Sequence, residues 1–271
     1  CVKKGQLTPH YHYVSRPPFT EAEAVRRAIY LAGQTDTPLY IAHMTCREAI
    51  AELQKAKGTG QRVSGETCTH YLTTTKEVLD NPDFNEAAKF VCSPALRDRE
   101  DCEALWQALS DGLLTAVSSD HCGIDVAELK QAGRNDFTQI PNGSPGAGDR
   151  LHMVWTEGVC TGKLTRQKFV DVIATQPAKI NGIYPRKGTL AVGSDADVVI
   201  FDPNYEGTVH LADNPNGVDY NLYEGRRQSG RVETVLLRGQ VVVENAKFVG
   251  RYGQGKFIPA NMYASGYENR N

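Results

Sequence analysis

The stretch Leu113-Leu-Thr-Ala-Val-Ser-Ser-Asp-His-Cys122 decides the fold class of this chain. Its apolar half, Leu113 to Val117, contains β-branched residues and predicts a buried strand. Four polar residues, Ser118 to His121, follow at once, and polar side chains at the carboxyl end of a buried strand are typical of the functional end of α/β barrels. On the residues alone, Asp120 can equally be the cap of a following helix.

The composition argues against several classes of protein. The 271 residues carry a formal net charge of −2 at pH 7 and show no basic stripe, so we expect no nucleic-acid partner. No apolar run approaches the ~20 residues that a membrane-spanning helix needs, so we expect no membrane partner. The 7 cysteines form no Cys-x-x-Cys pair and are odd in number, which is typical of reduced thiols, and we expect a cytoplasmic location.

Apolar strands alternate with amphipathic helices over the first part of the chain, an order typical of βα units around a parallel sheet. Thr20 and Glu23 have the spacing of a capping box at the start of the first helix. Three strands are too few for a closed barrel of eight, and the chain begins with Cys1, so we expect further strands upstream and a piece of a longer protein. The predicted strands span 38–43, 61–66 and 113–117, and the predicted helices span 21–33, 47–57 and 101–110.

The pattern changes after Leu164. Two helices are predicted at 165–175 and 177–181, and the sequence that follows is β-rich. Residues 193–203 predict a turn and a strand, and residues 232–244 predict a hairpin. We predict three parts of the chain, which are a partial α/β barrel with the catalytic portion over 1–184, a β-sandwich portion over 185–249 and an arm over 250–271 that packs on a neighbouring subunit.

His43 and Asp120 each end a predicted strand and are candidate metal ligands. An imidazole and a carboxylate are ligand types of catalytic zinc sites. On the residues alone, a single His at a strand end is more often a packed, hydrogen-bonded side chain. His70 also follows a predicted strand and is a weaker candidate for a contact in the site. His10 and His12 have the spacing of a metal pair, but no buried strand precedes them, and we predict a surface loop.

Short motifs along nearly the whole chain resemble the dihydropyrimidinase/hydantoinase family of the amidohydrolase superfamily. Their order and spacing agree with the C-terminal portion of the family's length. The motifs are Ser15-Arg-Pro-Pro18, Glu21-Ala-Glu-Ala24, Pro38-Leu-Tyr-Ile-Ala-His43, Gly65-Glu-Thr-Cys68, Tyr71-Leu72, Val91-Cys-Ser-Pro94, Leu96-Arg97, Ser119-Asp-His-Cys122, Asp136-Phe-Thr138, Ile140-Pro-Asn-Gly143, Tyr184-Pro-Arg-Lys-Gly188 and Gly193-Ser-Asp-Ala-Asp197.

The resemblance implies the fold and the metal centre. The expected fold is the C-terminal part of a TIM-like (β/α)8 barrel, about strands 6 to 8 with their helices, and a small C-terminal β-sandwich portion. The family holds two zinc ions bridged by a carbamylated lysine and a hydroxide. His43 matches the ligand on the sixth strand and Asp120 matches the ligand on the eighth. The family's other ligands and a catalytic tyrosine fall before Cys1, so we expect this chain to be inactive alone.

The resemblance also implies the substrate contacts and the reaction. Main-chain groups of Ser93 and Asn142 match positions that hydrogen-bond a cyclic amide, and His121 is expected to orient Asp120. Asp120 is the expected catalytic residue, carrying a proton to the leaving ring nitrogen. The expected function is zinc-dependent hydrolysis of dihydropyrimidines or hydantoins to N-carbamoyl amino acids, as in pyrimidine catabolism, by a homo-oligomer that is a tetramer or a dimer when full length.

Two alternative functions stay open. The first is another cyclic amidohydrolase, such as an allantoinase or a dihydroorotase, although the Asp136-Phe-Thr138 and Ile140-Pro-Asn-Gly143 motifs favour the hydantoinase side. The second is a non-catalytic assembly protein like the collapsin response mediators, which keep the fold and lose the metal ligands. The presence of both His43 and Asp120 favours an enzyme.

Overall fold

The polar stretch after Val117 lies at the end of a three-stranded parallel sheet. Its strands are β1 (Leu39–Ile41), β2 (Val63–Cys68) and β3 (Ala116–Ser118), in the spatial order β1-β2-β3. Parallel neighbours need a crossover, and the helices between the strands provide it. The three predicted strands and their parallel direction are confirmed, but their bounds differ. β1 ends at Ile41 and not at His43, β2 ends at Cys68 and not at Glu66, and β3 begins at Ala116 and not at Leu113.

This computed structural model describes residues 1–261, and the chain divides into two compact units. The first unit comprises Cys1–Arg150 and Thr208–Arg226, and the second comprises Leu151–Gly207 and the described residues from Arg227 onward. The predicted division into 1–184, 185–249 and 250–271 stays a prediction. The part of the predicted arm from residue 262 to residue 271 lies outside the described residues.

The helices of the first unit pack an apolar side inward. α3 buries Ile50 and Leu53, and α6 buries Leu105, Trp106 and Leu109. The helices of this unit are α1 (His10–Val14), α2 (Pro18–Gln34), α3 (Arg47–Gly58), α4 (Thr69–Thr73), α5 (Phe84–Ala88) and α6 (Arg99–Ser110), with 3-10 turns at Val2–Lys4, Lys76–Asp80, Lys130–Gly133, Phe137–Gln139 and Leu211–Asp213.

The start of α2 differs from the expectation. The predicted cap Thr20 lies inside the first turn, where its hydroxyl donates to the carbonyl of Pro17 at 2.8 Å. Pro18 occupies the first turn of the helix, where a proline has no donor to lose and its fixed φ is favourable. The helix therefore begins at Pro18, before Thr20, and the prediction that Thr20 caps its start is wrong.

The segment around His10 and His12 is helical and partly buried, so the predicted surface loop is wrong. α1 begins after Pro9, and His12 is 1 % exposed. The His12 Nε2 atom lies 2.7 Å from the carbonyl oxygen of Cys92 and donates to it. The local sequence pattern does not predict the burial of His12, because its partner Cys92 lies 80 residues away along the chain.

The second unit combines a helical part with an antiparallel sheet. The strands β4 (Val198–Thr208), β5 (Arg227–Leu237), β6 (Gln240–Glu244) and β7 (Lys247–Phe248) are ordered β4-β5-β6-β7, and the β5–β6 pairing confirms the predicted hairpin. Trp155 packs on Phe169 and Phe201, with ring centroids 5.3 and 4.9 Å apart. The helices are α7 (Arg150–Val154), α8 (Arg166–Val170) and α9 (Gln176–Ile180), with π-helical segments at Trp155–Val159 and Asp171–Thr175.

The predicted helices at 165–175 and 177–181 form one continuous helical run. The π-helical segment Asp171–Thr175 joins α8 to α9 without a break. Pro177 lies at the start of α9, within the first turn, where it is tolerated. Across residues 1–261, no helix combines the length and the apolar character that crossing a bilayer would require.

A buried ion pair joins two connecting segments of the first unit. The Arg97 guanidinium donates to the Glu21 carboxylate at 3.1 Å, and both side chains are at most one-tenth exposed. Arg97 Nε donates to the hydroxyl of Thr45 at 3.0 Å, and the Thr45 backbone amide donates to Glu21 at 2.8 Å. The pair therefore ties the segment after β1 and the segment that carries Ser93 to α2.

We expect Arg97→Met to lower the free energy of unfolding by about 3–5 kcal/mol, because it leaves the Glu21 carboxylate buried without its partner. The matched control is Arg27→Met, which removes an exposed pair with Glu23 and should cost less than about 1 kcal/mol. Urea unfolding of both variants measures the difference. Equal losses in the two variants would contradict the structural role assigned to Arg97.

Candidate active site

Three parallel strands each place a polar side chain two residues after their last residue. His43 follows β1, His70 follows β2 and Asp120 follows β3. Since the carboxyl ends of parallel strands meet at one edge of a sheet, the three residues belong to the same edge. The predicted strand ends conceal this shared offset, because they differ from the observed ends at Ile41, Cys68 and Ser118.

His43 and Asp120 have an unusual backbone conformation. Their φ angles are 40° and 45°, in the left-handed region that residues other than glycine rarely adopt. Such a conformation costs on the order of 1–3 kcal/mol and is concentrated at functional sites, where the surrounding structure holds it. The two residues that the sequence singles out as metal ligands therefore also carry local strain.

The structure brings Asp120 together with Cys68 and His70. One ligand atom of each residue lies within 4.8 Å of the others, and within residues 1–261 no other group of three such side chains does so. Cys68 and His70 are buried and Asp120 is exposed. His43 is not part of this group, although its charge contributes to the lowered pKa of His70.

His70 is a buried imidazole with an unpartnered nitrogen. The side chain is 4 % exposed, and its Nε2 atom has no hydrogen-bond partner. Burial, with a smaller effect of the neighbouring His43, lowers the pKa of His70 to about 3. The ring is therefore neutral near pH 7 and has a lone pair available for a ligand. Burial also raises the pKa of the Cys68 thiol well above its usual value.

A chain of hydrogen bonds supports Cys68. The Glu66 carboxylate accepts from the Tyr40 hydroxyl at 2.6 Å and from the Ser118 hydroxyl at 2.8 Å. The Ser118 oxygen in turn lies 3.2 Å from the Cys68 sulfur. Because Glu66 and Cys68 lie on β2 and Ser118 ends β3, the network fixes the two strands at the edge that carries the group.

The two predicted substrate residues lie in contact. Ser93 and Asn142 are exposed, and the Ser93 hydroxyl donates to the side-chain oxygen of Asn142 at 2.9 Å. Next to them, the Gly143 amide donates to the Val91 carbonyl at 3.0 Å. Gly143 has a φ of 139°, and a Cβ there would lie 2.6 Å from the Cβ of Cys122, so a glycine is required.

Lys130 ties the segments next to Ser93 and Asn142 together, and no local sequence pattern points to it. Its ammonium donates to the carbonyls of Gly143 at 2.7 Å, Ala88 at 2.9 Å and Val91 at 3.3 Å. The side chain is fully buried, and burial lowers its pKa to about 8. A lysine in a long loop carries no local signal of this role, because all three carbonyls are distant in sequence.

His121 contacts the loop that contains Gly146 and Ala147. Its Nδ1 accepts from the backbone amides of Gly146 at 3.3 Å and Ala147 at 3.4 Å. The residue also forms an isolated bridge with Ser144. The predicted role of His121 in orienting Asp120 stays a prediction.

A cavity of about 630 Å³ opens beside His43 and Ser93. It is of the size that small-molecule sites in proteins have. The other lining residues are Arg16, Thr20, Glu21, Ala24, Val25, Ala28, Leu39, Tyr40, Ile41, Ala42, Met44, Pro94, Ala95 and Arg97.

Polar residues collected at the carboxyl edge of a parallel sheet are typical of the α/β hydrolases that bind metals. The chain belongs to the amidohydrolase family, whose sequence model matches residues 27–242. The resemblance found in the motifs is thereby confirmed.

The relatives make the likeness more specific. A D-hydantoinase of Ralstonia pickettii is 47% identical over 262 residues, covering 97% of this chain and 57% of the relative. A dihydropyrimidinase of Arabidopsis thaliana is 39% identical over 257 residues, covering 95% of this chain and 48% of the relative. The chain therefore spans about half the length of the curated relatives it matches.

Solved structures agree with the sequence relatives. The dihydropyrimidinase of Brevibacillus agri superposes with a TM-score of 0.95 at 43% identity, covering 97% of this chain and 57% of that structure. The L-hydantoinase (dihydropyrimidinase) of Arthrobacter aurescens gives a TM-score of 0.87 at 31% identity, covering 94% of this chain and 55% of that structure. The fold is therefore that of the amidohydrolase family.

We expect Lys130→Met to destabilise the chain by at least about 2 kcal/mol, because three buried carbonyls lose a charged donor. Lys4→Met, at an exposed lysine, should stay within about 0.5 kcal/mol of the parent. Chemical denaturation at pH 7 compares the two variants. A Lys130→Met protein as stable as the Lys4→Met protein would show that the ammonium does not hold these loops.

The buried His12 predicts a dependence of stability on pH. Burial lowers the pKa of His12 to about 4, whereas the pKa in the unfolded state is 6.5. The folded state therefore binds the proton at a lower pH than the unfolded state does. Stability from His12 is therefore complete above about pH 6.5 and falls as the pH drops toward 4, by up to about 1.4 kcal/mol per pH unit. His12→Asn should make the loss between pH 7 and pH 4.5 shallower in urea unfolding. An unchanged slope would exclude His12 as a source of acid sensitivity.

Proposed function

We propose that this chain carries metal-binding, substrate-binding and proton-transferring side chains of a zinc-dependent cyclic amidohydrolase. The proposed reaction opens the ring of a dihydropyrimidine or a hydantoin to an N-carbamoyl amino acid. The single observation that carries the proposal is the meeting of Asp120, His70 and Cys68 at the carboxyl edge of the sheet, near His43. The names of the relatives, D-hydantoinase and dihydropyrimidinase, support the same reaction.

Zinc is the proposed cofactor, with His43 and Asp120 as ligands from this chain. The residues fit a metal, since an imidazole and a carboxylate are zinc donors and the unpartnered Nε2 of the adjacent His70 is a further free donor. A bound zinc ion would supply a polarised ring carbonyl and a water whose pKa is lowered toward about 7. The carbamylated lysine expected to bridge two ions matches no lysine of this chain.

Asp120 is the proposed catalytic proton carrier. Asp120 is exposed at the edge of the sheet, and its backbone has a left-handed φ of 45°. In the proposed reaction it takes the proton of the attacking water and gives it to the ring nitrogen, which must be protonated to leave. His121, on the next position of the chain, is proposed to orient it.

Ser93 and Asn142 are the proposed substrate-binding residues. Main-chain N–H and C=O groups pair with the C=O and N–H groups of a ring amide without adding charge. The Ser93–Asn142 side-chain bond and the Gly143–Val91 backbone bond hold the two segments in one place. The small cyclic amide is the only ligand that we propose for this surface.

The remaining features of the proposal concern the whole protein. We propose a cytoplasmic location, supported by seven cysteines that all remain free thiols. We propose a homo-oligomer, a tetramer or a dimer. We also propose that β1 to β3 are strands 6 to 8 of a TIM-like barrel and that β4 to β7 belong to a β-sandwich. The relatives' names do not favour an allantoinase, a dihydroorotase or a collapsin-response-mediator-like protein.

A chimera tests the proposed reaction. We expect the upstream part of the Ralstonia pickettii D-hydantoinase, fused to this chain, to hydrolyse hydantoin and dihydrouracil, and we expect this chain alone to give no turnover. Asp120→Asn should lower kcat at least about 100-fold, because a carboxamide cannot carry the proton. Ring opening is measured as a loss of ultraviolet absorbance.

The matched control is Glu128→Gln, which makes the same chemical change at another exposed carboxylate and should leave kcat unchanged. Circular dichroism establishes that each chimera is folded. A folded chimera that keeps its activity with Asp120→Asn, or that acts on allantoin or dihydroorotate alone, would contradict the proposal.

A further inference from the structure

Two of the three residues that meet at the sheet edge, Cys68 and His70, are not among the zinc ligands that the proposed function assigns to this chain, which are His43 and Asp120. Cys68 is the last residue of β2 and His70 lies two residues later in α4, and their ligand atoms lie within 4.8 Å of each other and of an Asp120 oxygen. Thiolate, imidazole and carboxylate together are a donor set that zinc-type ions accept. The two residues therefore raise the number of possible ligands on this chain.

The unpartnered nitrogen of His70 is an independent sign of a missing ligand. A buried polar atom without a hydrogen bond costs about 1–3 kcal/mol, so native proteins rarely leave one. His70 Nε2 is such an atom, on a side chain that is 4 % exposed. A metal ion in contact with the ring would satisfy a nitrogen that no described residue reaches.

The spacing of the donors suits a metal ion after a small contraction. Zinc bonds of about 2.0–2.3 Å in a tetrahedral arrangement place donor atoms roughly 3.3–3.7 Å apart. The present limit of 4.8 Å is therefore about one ångström wider than a filled site. Since Asp120 is exposed, rotation of its side chain can supply the contraction, and the open side leaves a route for the ion.

A second layer of residues already holds one of the donors. The Cys68 sulfur lies 3.2 Å from the Ser118 oxygen, and Ser118 is held by Glu66 at 2.8 Å. Hydrogen-bonded supports of this kind orient metal ligands in known sites. A sulfur that is both buried and held by such a network is positioned as a ligand would be.

We propose that Cys68, His70 and Asp120 form a binding site for one divalent transition-metal ion of the zinc type within this chain. The three side chains leave at least one position open toward solvent on the Asp120 side, as catalytic rather than structural zinc sites do. The site differs from the His43–Asp120 pair expected from the resemblance, because its two other ligands are the last residue of β2 and a residue of the following helix α4. It does not depend on the identity of the ring substrate.

Cobalt titration of this chain tests the site without any enzyme assay. We expect one Co²⁺ per chain and a thiolate-to-cobalt charge-transfer band in the near ultraviolet. Cys68→Ser should abolish the band, and His70→Asn and Asp120→Asn should each weaken Co²⁺ binding at least about 10-fold. Zinc should displace the cobalt and remove the band.

The controls separate this site from other sources of binding. Cys102→Ser changes a buried thiol elsewhere, Cys122→Ser changes an exposed thiol near Asp120, and both should keep the band. Circular dichroism before titration establishes that each variant is folded. A band that survives Cys68→Ser, or binding unaffected by His70→Asn, overturns the site.

His43→Ala distinguishes failure of this inference from failure of the proposed function. We expect it to leave the cobalt band in place. If His43→Ala abolishes Co²⁺ binding while Cys68→Ser and His70→Asn do not, the ion sits on the expected His43–Asp120 pair. That outcome overturns the three-residue site and leaves the proposed reaction standing.

Discussion

The parallel alignment of β1, β2 and β3 is the constraint on which the rest of the first unit depends. Because the three strands run the same way, the residues that follow them emerge at one edge, and an antiparallel central strand would send His70 to the opposite edge. Parallel order in turn requires the crossover helices, and the buried Arg97–Glu21 pair fixes α2 against the segments that follow β1 and precede α6. The parallel direction of the strands therefore determines that the candidate site residues lie at the same edge of the sheet.

The strained turns after β1 and β3 are held by ordinary hydrogen bonds. The Met44 amide donates to the Glu66 carbonyl at 2.8 Å, and the Thr67 hydroxyl donates to the Met44 carbonyl at 2.8 Å, so the residue after His43 is fixed to β2 on both sides. After Asp120, the Cys122 amide donates to Ser144 at 3.0 Å. A few such bonds, each worth about 1 kcal/mol net, are enough to offset a left-handed residue. Ordinary hydrogen bonds are thus sufficient to stabilise the left-handed backbone of His43 and Asp120.

Much of this arrangement is predictable from sequence, and the exceptions share a physical cause. Apolar runs locate the strands, and polar residues at their ends locate His43 and Asp120. Cys68 and His70 follow a predicted strand, but their proximity to Asp120 is a contact between two strands that no local pattern records. His12 and Lys130 act through carbonyls that are far away along the chain, and no local pattern records a tertiary hydrogen bond.

Tyr71 joins the two halves of the candidate site. It follows His70 directly, its ring centroid lies 4.0 Å from that of His70, and its hydroxyl donates to the Pro94 carbonyl at 2.7 Å. Burial raises the pKa of Tyr71 well above its usual value, so the hydroxyl is protonated and can donate near pH 7. The donor group at the end of β2 and the segment that carries Ser93 are consequently held at a fixed separation by one aromatic side chain. In the proposed function, this side chain would lie between the metal-binding residues and the substrate-binding segment.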